Sequence, residues 1–219
     1  MKKHVIDIFD KYTNTSCYWA GILATDGCID VNNTVRLELN SKDLKSIQDF
    51  KLDTEAAHEI SYRESTDAYS IRFCDVSICE SLKENFSVTV GKTLNLEFPI
   101  LPENMYPHYI RGIFDGDGCL TEFFANRPTA SFRVYITSAS LQFLQDLQQY
   151  LLNSGIIVGG SIQKKAARCW HLQLAIKDST CFLNYIYLNN NVKDLRYMER
   201  KYLKYKKIII DNNRDKIKV

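Results

Sequence analysis

The sequence lacks the features that mark several classes of protein. No run of eighteen or more apolar residues occurs, and charged residues follow residues 1–5 where a secretory signal would need an apolar segment. We therefore expect neither a membrane span nor a signal peptide. The four histidines show no metal-ligand spacing, and the chain has no glycine-rich phosphate loop and no Gly-x-Ser-x-Gly elbow.

Paired cysteines are also missing. The chain has seven cysteines, an odd number, and none lies in a Cys-x-x-Cys motif. We interpret them as reduced, small apolar side chains, in preference to disulfides or zinc ligands. This interpretation predicts an intracellular protein, cytoplasmic or organellar if the host is a eukaryote.

Proline is scarce and unevenly placed. Three of the four prolines lie within residues 88–107, where the apolar pattern has little periodicity. We therefore predict a linker at 88–107, between an N-terminal half at 1–87 and a C-terminal half at 108–219.

The net charge of +2 is small, but the bases are concentrated near the end of the chain. After residue 190 there are ten lysines and arginines against four acids. Such a segment is a weak indication of phosphate contacts, and a solvated helix face is the more common explanation.

The most informative feature is an internal repeat. Residues 109–118 (YIRGIFDGDG) are a near-copy of residues 18–27 (YWAGILATDG), since each begins with an aromatic residue, has glycine at the fourth position and ends in Asp-Gly. Asp26 and Asp117 are therefore equivalent residues, 91 positions apart. This spacing in a chain of 219 residues predicts a duplicated architecture.

Hydrophobic periodicity predicts the same order in both halves: helix, two strands, helix, two strands, helix. In the first half Ser16 and Ser41 are the predicted caps of the first two helices, and the predicted elements are 16–26, 28–30, 34–40, 41–52, 58–63, 69–73 and 76–85. In the second half the motif helix ends at 117, and the later elements are 119–125, 130–137, 140–152, 157–164, 169–176, 179–188 and 194–210.

Small residues recur at helical spacing in both repeat copies. Gly21 and Thr25 share one face of the first predicted helix, as Gly112 and Gly116 do on the second. Glycine inside a helix costs about 0.5 to 1 kcal/mol relative to alanine. A close approach of two helix backbones across a pseudo-twofold axis would explain it, while a turn or helix end is the alternative for Gly116.

Asp26 and Asp117 fall at the C-terminal ends of their predicted helices. The helix dipole disfavours a carboxylate there by about 0.3 to 1 kcal/mol, and paired helix ends would bring the two negative charges together. A divalent cation would relieve both penalties, and oxygen ligands at a partly open site suit Mg²⁺. A structural role at a helix end is the alternative for either acid alone.

The two repeat copies resemble the paired motifs of the LAGLIDADG homing endonucleases, in the single-chain form with two motifs. Residues 24–27 (ATDG) and 115–118 (DGDG) carry the resemblance, and residues 98–99 and 108–112 add to it. The first copy departs from the family at Ala24, where the motif often has an acid, but this position is not the catalytic one.

The resemblance implies an α+β fold of two αββαββα halves related by a pseudo-twofold axis. Their motif helices would form the interface, and two antiparallel four-stranded sheets would form a saddle along the major groove of a double-stranded DNA target. It also implies a monomer. The repeat occupies almost the whole chain, so we expect a free-standing protein without an appended splicing domain.

The resemblance further implies roles for individual residues. Asp26 and Asp117, with Gly27 and Gly118, would bind Mg²⁺ beside the two scissile phosphates, and one phosphodiester would be hydrolysed in each strand, leaving short 3′ overhangs. Family members also use a basic residue near each site and polar residues that hold water. The candidates for these two roles are Lys92, Lys193, Ser41 and Ser138.

Strand alternation selects candidate DNA contacts. Val35, Leu37 and Leu39 form the apolar face of their strand, so Arg36 and Glu38 point the other way. The same argument applied to the other strands, with side chains suited to base edges, gives the set Arg36, Glu38, Ser70, Arg72, Arg133, Tyr135, His171 and Gln173. A solvated sheet face is the alternative for each of them.

We therefore expect a site-specific homing endonuclease whose cut starts the lateral transfer of its own coding element, an intron or an intergenic sequence. The alternative is a non-cleaving protein on the same fold, either a maturase that binds intron RNA or a DNA-binding regulator. Two repelling carboxylates favour the endonuclease, because a protein that only binds has no use for them beside phosphates. A maturase that kept both acids as relics is the open alternative.

Overall fold

The computed structural model describes residues 4–123, 131–188 and 195–216. Within them the order helix, two strands, helix, two strands, helix occurs twice, and one further helix follows. Both sheets are four-stranded and antiparallel, which confirms the predicted α+β fold of two αββαββα halves. In this part of the chain no helix has the length and apolar character needed to span a bilayer.

The first half consists of three helices and one sheet. The elements are α1, Asn14–Asp26; β1, Gly27–Ile29; β2, Thr34–Asn40; α2, Leu44–Asp53; β3, Ser61–Arg63; β4, Ala68–Cys74; and α3, Val76–Phe86. The strand order is β1-β2-β4-β3. The β2 strand alternates as predicted, with Val35, Leu37 and Leu39 buried.

The second half repeats this arrangement. Its elements are α4, Tyr106–Asp117; β5, Gly118–Phe123; β6, Ser131–Ser138; α5, Leu141–Asn153; β7, Ser161–Ala166; β8, Cys169–Gln173; α6, Ile176–Tyr187; and the additional helix α7, Glu199–Lys216. The strand order β5-β6-β8-β7 matches that of the first sheet.

Two predicted helix caps are wrong. Helix α1 begins earlier than predicted because Thr13 is its N-cap: Thr13 Oγ1 accepts the Ser16 backbone N–H at 3.0 Å, and Ser16 Oγ accepts the Thr13 N–H at 2.8 Å. Ser16 thus has the reciprocal role of a capping box, usually filled by Glu or Gln. Ser41 begins a short 3-10 turn whose N-cap is Asn40, and α2 follows that turn.

The predicted start of the last helix is also wrong. The prediction placed it at residue 194, but α7 begins at Glu199. Residues 195–198 are not helical, because hydrogen bonds to α4 engage the main chain at Arg196 and Met198. Periodicity cannot show such non-local bonds.

The predicted linker is packed against the rest of the protein. It has no regular element as far as Pro102, and a 3-10 turn at Glu103–Met105 then leads into α4. Val88, Leu96 and Leu101 are buried within it. This packing fixes the position of Lys92, while the division into halves at 88–107 stays a prediction.

All seven cysteines are free thiols. Two of them, Cys17 and Cys79, are buried in the core, while the reduced state and the intracellular location stay predictions.

Candidate active site

Helices α1 and α4 pack against each other through their glycines. A Cβ atom at Gly21 would lie 2.9 Å from the backbone nitrogen of Ile113 and 3.0 Å from Gly112 Cα. A Cβ atom at Gly112 would in turn lie 2.9 Å from the backbone nitrogen of Ile22. These reciprocal contacts confirm that the small residues let the two backbones approach closely.

The same packing brings together the C-terminal ends of the two helices. Asp26 and Asp117 are the last residues of α1 and α4. A Cβ atom at Gly116 would lie only 2.7 Å from Asp26 Oδ2, so the Asp26 carboxylate lies against the backbone that immediately precedes Asp117. The two acids therefore belong to one site, as the repeat predicted.

The surroundings of both acids disfavour their negative charge. Burial, with the charge of Asp117, raises the pKa of Asp26 to about 6. The pKa of Asp117 is also raised, because protein atoms surround its carboxylate, although the residue itself reaches solvent. A site that disfavours two carboxylates yet is open at Asp117 is suited to a cation that enters from solution.

Two buried lysines lie near these acids. Lys92 is 7% exposed, and burial lowers its pKa against the opposing effect of the negative charges of Asp117 and Asp26. Lys201 is 9% exposed, and its pKa is likewise lowered by burial while Asp115, Asp26 and Asp117 raise it. Lys92 lies in the predicted linker that precedes α4, and Lys201 lies on α7.

Lys201 is a candidate that the sequence did not reveal. Its Nζ donates hydrogen bonds to the carbonyl oxygens of Phe114 at 2.8 Å, Gly116 at 3.0 Å and Gly118 at 2.6 Å. These carbonyls form the C-terminal end of α4, where a cation offsets the dipole. The prediction had named Lys193, which lies outside the described residues.

The sequence contains only a weak indication that Lys201 belongs to this site. The basic segment after residue 190 contains it, but ten bases share that segment, and only the contacts of α7 with α4 distinguish one of them.

The predicted polar and glycine positions have local structural contacts. Ser138 is buried and its Oγ accepts the backbone N–H of Ser140 at 3.1 Å, while the Ser41 N–H donates to the Asp67 carbonyl at 2.8 Å. Gly27 and Gly118 follow the ends of α1 and α4 as C-caps. Their proposed roles in holding water or metal stay predictions, and the Gly118 carbonyl already accepts from Lys201.

The donor set agrees with a hard divalent cation. Two carboxylates at a partly open site, with raised pKa values that a positive ion would lower, match the preference of Mg²⁺ for one or two protein carboxylates plus substrate oxygens. Among the described residues no group of three or more His, Cys, Asp and Glu side chains could hold a metal alone. The remaining ligands would therefore come from main chain, water or substrate.

In the first sheet the four candidate DNA contacts lie on one face. Arg36 on β2 is paired with Arg72 on β4, and Glu38 is paired with Ser70. The Glu38 carboxylate lies 3.9 Å from the Arg36 guanidinium and 3.8 Å from that of Arg63. A shallow depression on this face is lined by Arg36, His58, Glu59, Ser61, Arg63, Ser70 and Arg72.

In the second sheet the candidates also share a face, but one is buried. Tyr135 is paired with Gln173, and Arg133 is exposed with its guanidinium 5.5 Å from the centre of the Phe123 ring. His171 is only 4% exposed and contacts the Tyr135 ring edge-on. DNA contact by any of the eight stays a prediction.

Comparison with known proteins agrees with this geometry. Residues 105–183 match the family model described as a LAGLIDADG-like domain. A search of curated proteins finds no match. Among solved structures, the I-LtrWI LAGLIDADG homing endonuclease bound to target DNA is 12% identical with a TM-score of 0.55, and the match covers 93% of this chain and 90% of that one.

Two further structures give the same result. I-SmaMI, bound to an uncleaved DNA target in the presence of calcium ions, has a TM-score of 0.58 at 12% identity, with coverage of 94% of this chain and 93% of its own. The mesophilic variants of the homing endonuclease I-DmoI give 0.59 at 15% identity, with coverage of 88% and 97%.

The chain has the LAGLIDADG homing endonuclease fold. The resemblance predicted from the two motifs is therefore confirmed, and the family model covers the second motif helix and all four strands of the second sheet. In the LAGLIDADG fold of this chain the two motif helices are α1 and α4, and Asp26 and Asp117 are the acids at their ends.

Proposed function

We propose that this protein is a site-specific DNA endonuclease that makes a double-strand break, hydrolysing one phosphodiester in each strand with Mg²⁺ as cofactor. The observation that carries the proposal is the pairing of Asp26 with Asp117 at the touching ends of α1 and α4. A structural role at a helix end does not require aspartate at both positions. Without a bound cation, the repulsion between the two carboxylates destabilises the folded protein.

Asp26 and Asp117 would hold the metal between the protein and the scissile phosphates. The metal would supply activation of a water nucleophile and stabilisation of the charge that develops on the leaving oxygen. Asp117 is an exposed residue, so this side of the site is open to a phosphate of the DNA backbone.

Lys92 and Lys201 would supply positive charge at the two sides of the site. Lys92 interacts with the charges of Asp117, Asp26 and the thiol of Cys28 at the start of the first sheet, while Lys201 binds the end of α4. Each would stabilise the negative charge of a phosphate in the transition state through its positive charge. Lys201 therefore replaces Lys193 as our candidate for the second half.

The two sheets would form the DNA-binding surface. Paired arginines, a glutamate and a serine on the first sheet can read base edges in the major groove, as can Arg133, Tyr135 and Gln173 on the second. Structural neighbours with this fold are bound to DNA targets, which supports a double-stranded DNA partner for this chain.

The two LAGLIDADG motifs lie in one chain and already pair within it. This supports the expectation of a monomer, because a second copy is not needed to bring two acids together. Intron homing is the biological role that such a cut would serve.

The proposal is tested by selecting a target and then asking whether it is cut. Duplexes that bind the protein would be selected from a random library in Ca²⁺, the ion present with uncleaved DNA in the I-SmaMI structure, and the selected site would be incubated with Mg²⁺. We expect double-strand cleavage with wild-type protein and none with EDTA.

Asp26→Asn and Asp117→Asn should each lower double-strand cleavage by about a hundred- to a thousandfold, as loss of one electrostatic stabiliser of the transition state does, while retaining DNA binding. Asp10→Asn is the matched control, because Asp10 is an exposed aspartate that precedes α1. Tight binding without cleavage by the wild-type protein would contradict the proposal and favour the maturase or regulator alternative.

A further inference from the structure

The second motif helix carries two buried charges that the first lacks. Arg111 and Asp115 are completely buried on α4. The equivalent residues on α1, 91 positions earlier, are Ala20 and Ala24. The two halves therefore differ at two matched positions of helices that are otherwise equivalent.

These charges hold the main chain that leads into α7. The Arg111 Nε–H donates to the carbonyl of Arg196 at 2.8 Å, and the Met198 N–H donates to Asp115 Oδ2 at 2.7 Å. The Met198 carbonyl then accepts the N–H of Lys201 at 3.0 Å. Arg111 and Asp115 thus fix the point at which the first turn of α7 begins.

The first turn of α7 carries Lys201 into the active site. A lysine near the N-terminus of a helix is disfavoured by the dipole of that helix, and this one is almost completely buried. Anchoring of the preceding segment explains how it is held there. Other hydrogen bonds to Asp115 come from Tyr18 on α1 at 3.0 Å and Tyr187 on α6 at 2.7 Å.

Lys92 reaches the acids in a different way. It lies in the irregular segment between α3 and α4. That segment is held by the buried side chains of Val88 and Leu96, and the Leu96 carbonyl accepts a hydrogen bond from Ser140 Oγ at 2.8 Å. The alanines of α1 offer it no hydrogen bond. The two lysines beside the acids are therefore held by different residues, Lys201 through the two buried charged residues of α4 and Lys92 through Ser140 and apolar packing.

We infer that Arg111 and Asp115 are positioning residues for one of the two strand cleavages, because they place Lys201 beside Asp117 while Lys92 is placed independently. The inference rests on the proposed function and adds to it that the two halves of the active site are not interchangeable. Release of the 196–198 segment should slow cleavage of one DNA strand more than that of the other.

The test compares Asp115→Ala with Asp115→Asn. Alanine removes the acceptor for the Met198 N–H, whereas the asparagine oxygen can still accept it and its amide can donate to the Tyr187 hydroxyl oxygen. Each DNA strand of the selected target is end-labelled separately. We expect Asp115→Ala to slow one strand by about ten- to a hundredfold more than the other, and Asp115→Asn to restore most of the balance.

A second readout does not depend on cleavage. Amine-reactive labelling followed by mass spectrometry measures protection of Lys201 against exposed Lys206 as an internal reference. We expect Lys201 to be protected in the wild type and in Asp115→Asn. It should also be protected in Tyr18→Phe, because that change leaves the hydrogen bond between Met198 and Asp115 intact. In Asp115→Ala, Lys201 should become reactive. If Asp115→Ala does not fold, Arg111→Lys, which loses the bond to Arg196, should give the same two changes to a smaller degree.

The outcomes are separable. Equal slowing of both strands by a folded variant, or unchanged Lys201 protection in Asp115→Ala, would overturn the inference. Absence of cleavage by the wild type on DNA that it binds would instead overturn the proposed function, and labelling would still decide whether Asp115 places Lys201.

Discussion

At the scale of single residues, the carboxylates of the candidate site lie in surroundings that disfavour their negative charge. Asp26 is partly buried at the end of α1 and lies against the backbone beside Asp117. Its pKa of about 6 is raised mainly by burial and then by the second carboxylate. A proton and the proposed divalent cation would therefore compete for the same carboxylate.

Metal binding is expected to depend on pH through Asp26. Because the folded-state pKa is raised above the ordinary value, the stabilisation that the proton provides is complete below about pH 4 and is lost as the pH rises through about 6. The metal-free protein should then lose stability over this window, and Mg²⁺ should restore it. About one pH unit below the pKa, apparent Mg²⁺ affinity should fall about tenfold.

Thermal unfolding with and without Mg²⁺, between about pH 5 and about pH 8, measures this effect. Asp26→Asn should abolish most of the pH-dependent difference, while Asp10→Asn should leave it unchanged. A stabilisation by Mg²⁺ that is equal at both ends of the range would contradict the assignment of Asp26.

Among the elements, the α1 and α4 helices depend on the absence of side chains at their contact. The atoms nearest to Gly112 are backbone atoms of α1, and a Cβ atom at Gly112 would lie 2.9 Å from both Ile22 N and Gly21 Cα. Backbone in a packed helix cannot move aside as the end of a flexible side chain can.

Gly112→Ala is therefore expected to destabilise the protein. Helix propensity would favour alanine by about 0.5 to 1 kcal/mol, but overpacking costs about 1 to 3 kcal/mol or more, so the overpacking wins. Urea unfolding measures the free energy difference. Gly159→Ala is the control, since a Cβ there would meet nothing within 4 Å, and its effect should stay within about 0.5 kcal/mol. Equal effects of the two substitutions would show that the helices are not in such close contact.

At the scale of the whole molecule, the C-terminal segment binds both halves. The Arg196 guanidinium donates two hydrogen bonds to Asp53 of α2, at 2.6 and 2.7 Å, and the same carboxylate accepts the Trp19 indole N–H at 2.7 Å. Arg200 pairs with Asp43 at 2.9 Å. Arginines near the C-terminal end of the chain thus bind aspartates of the first half.

The Arg196 and Asp53 pair should contribute more than an ordinary surface ion pair. Asp53 is 11% exposed in its side chain, and a bidentate geometry with an additional indole donor favours a coupling of about 1 to 3 kcal/mol. A double-mutant cycle with Arg196→Ala and Asp53→Ala measures it by urea unfolding. The matched cycle for Lys45 and Asp49, a pair one turn apart on α2 whose lysine is exposed, should give about 0.3 to 0.5 kcal/mol. Similar values for both cycles would contradict a role for the segment in joining the halves.

Much of the fold followed from local patterns. The order of elements in each half was predictable because strand alternation and helical periodicity are properties of neighbouring residues. The caps were less predictable. Thr13 and Ser16 are both good N-cap residues, and the sequence does not show at which of them the helix begins. The start of α7 was not predictable, because it is decided by hydrogen bonds that the preceding main chain makes with Arg111 and Asp115.

The sequence alone determined that Asp26 and Asp117 are equivalent and that small residues accompany them, because a repeat is visible without coordinates. Tertiary structure decided which lysine joins them. Lys201 is 84 positions from Asp117 along the chain, and its place beside Gly116 and Gly118 depends on packing between α4 and α7. Contacts between distant segments arise only when the chain folds, so periodicity and spacing carry no record of them.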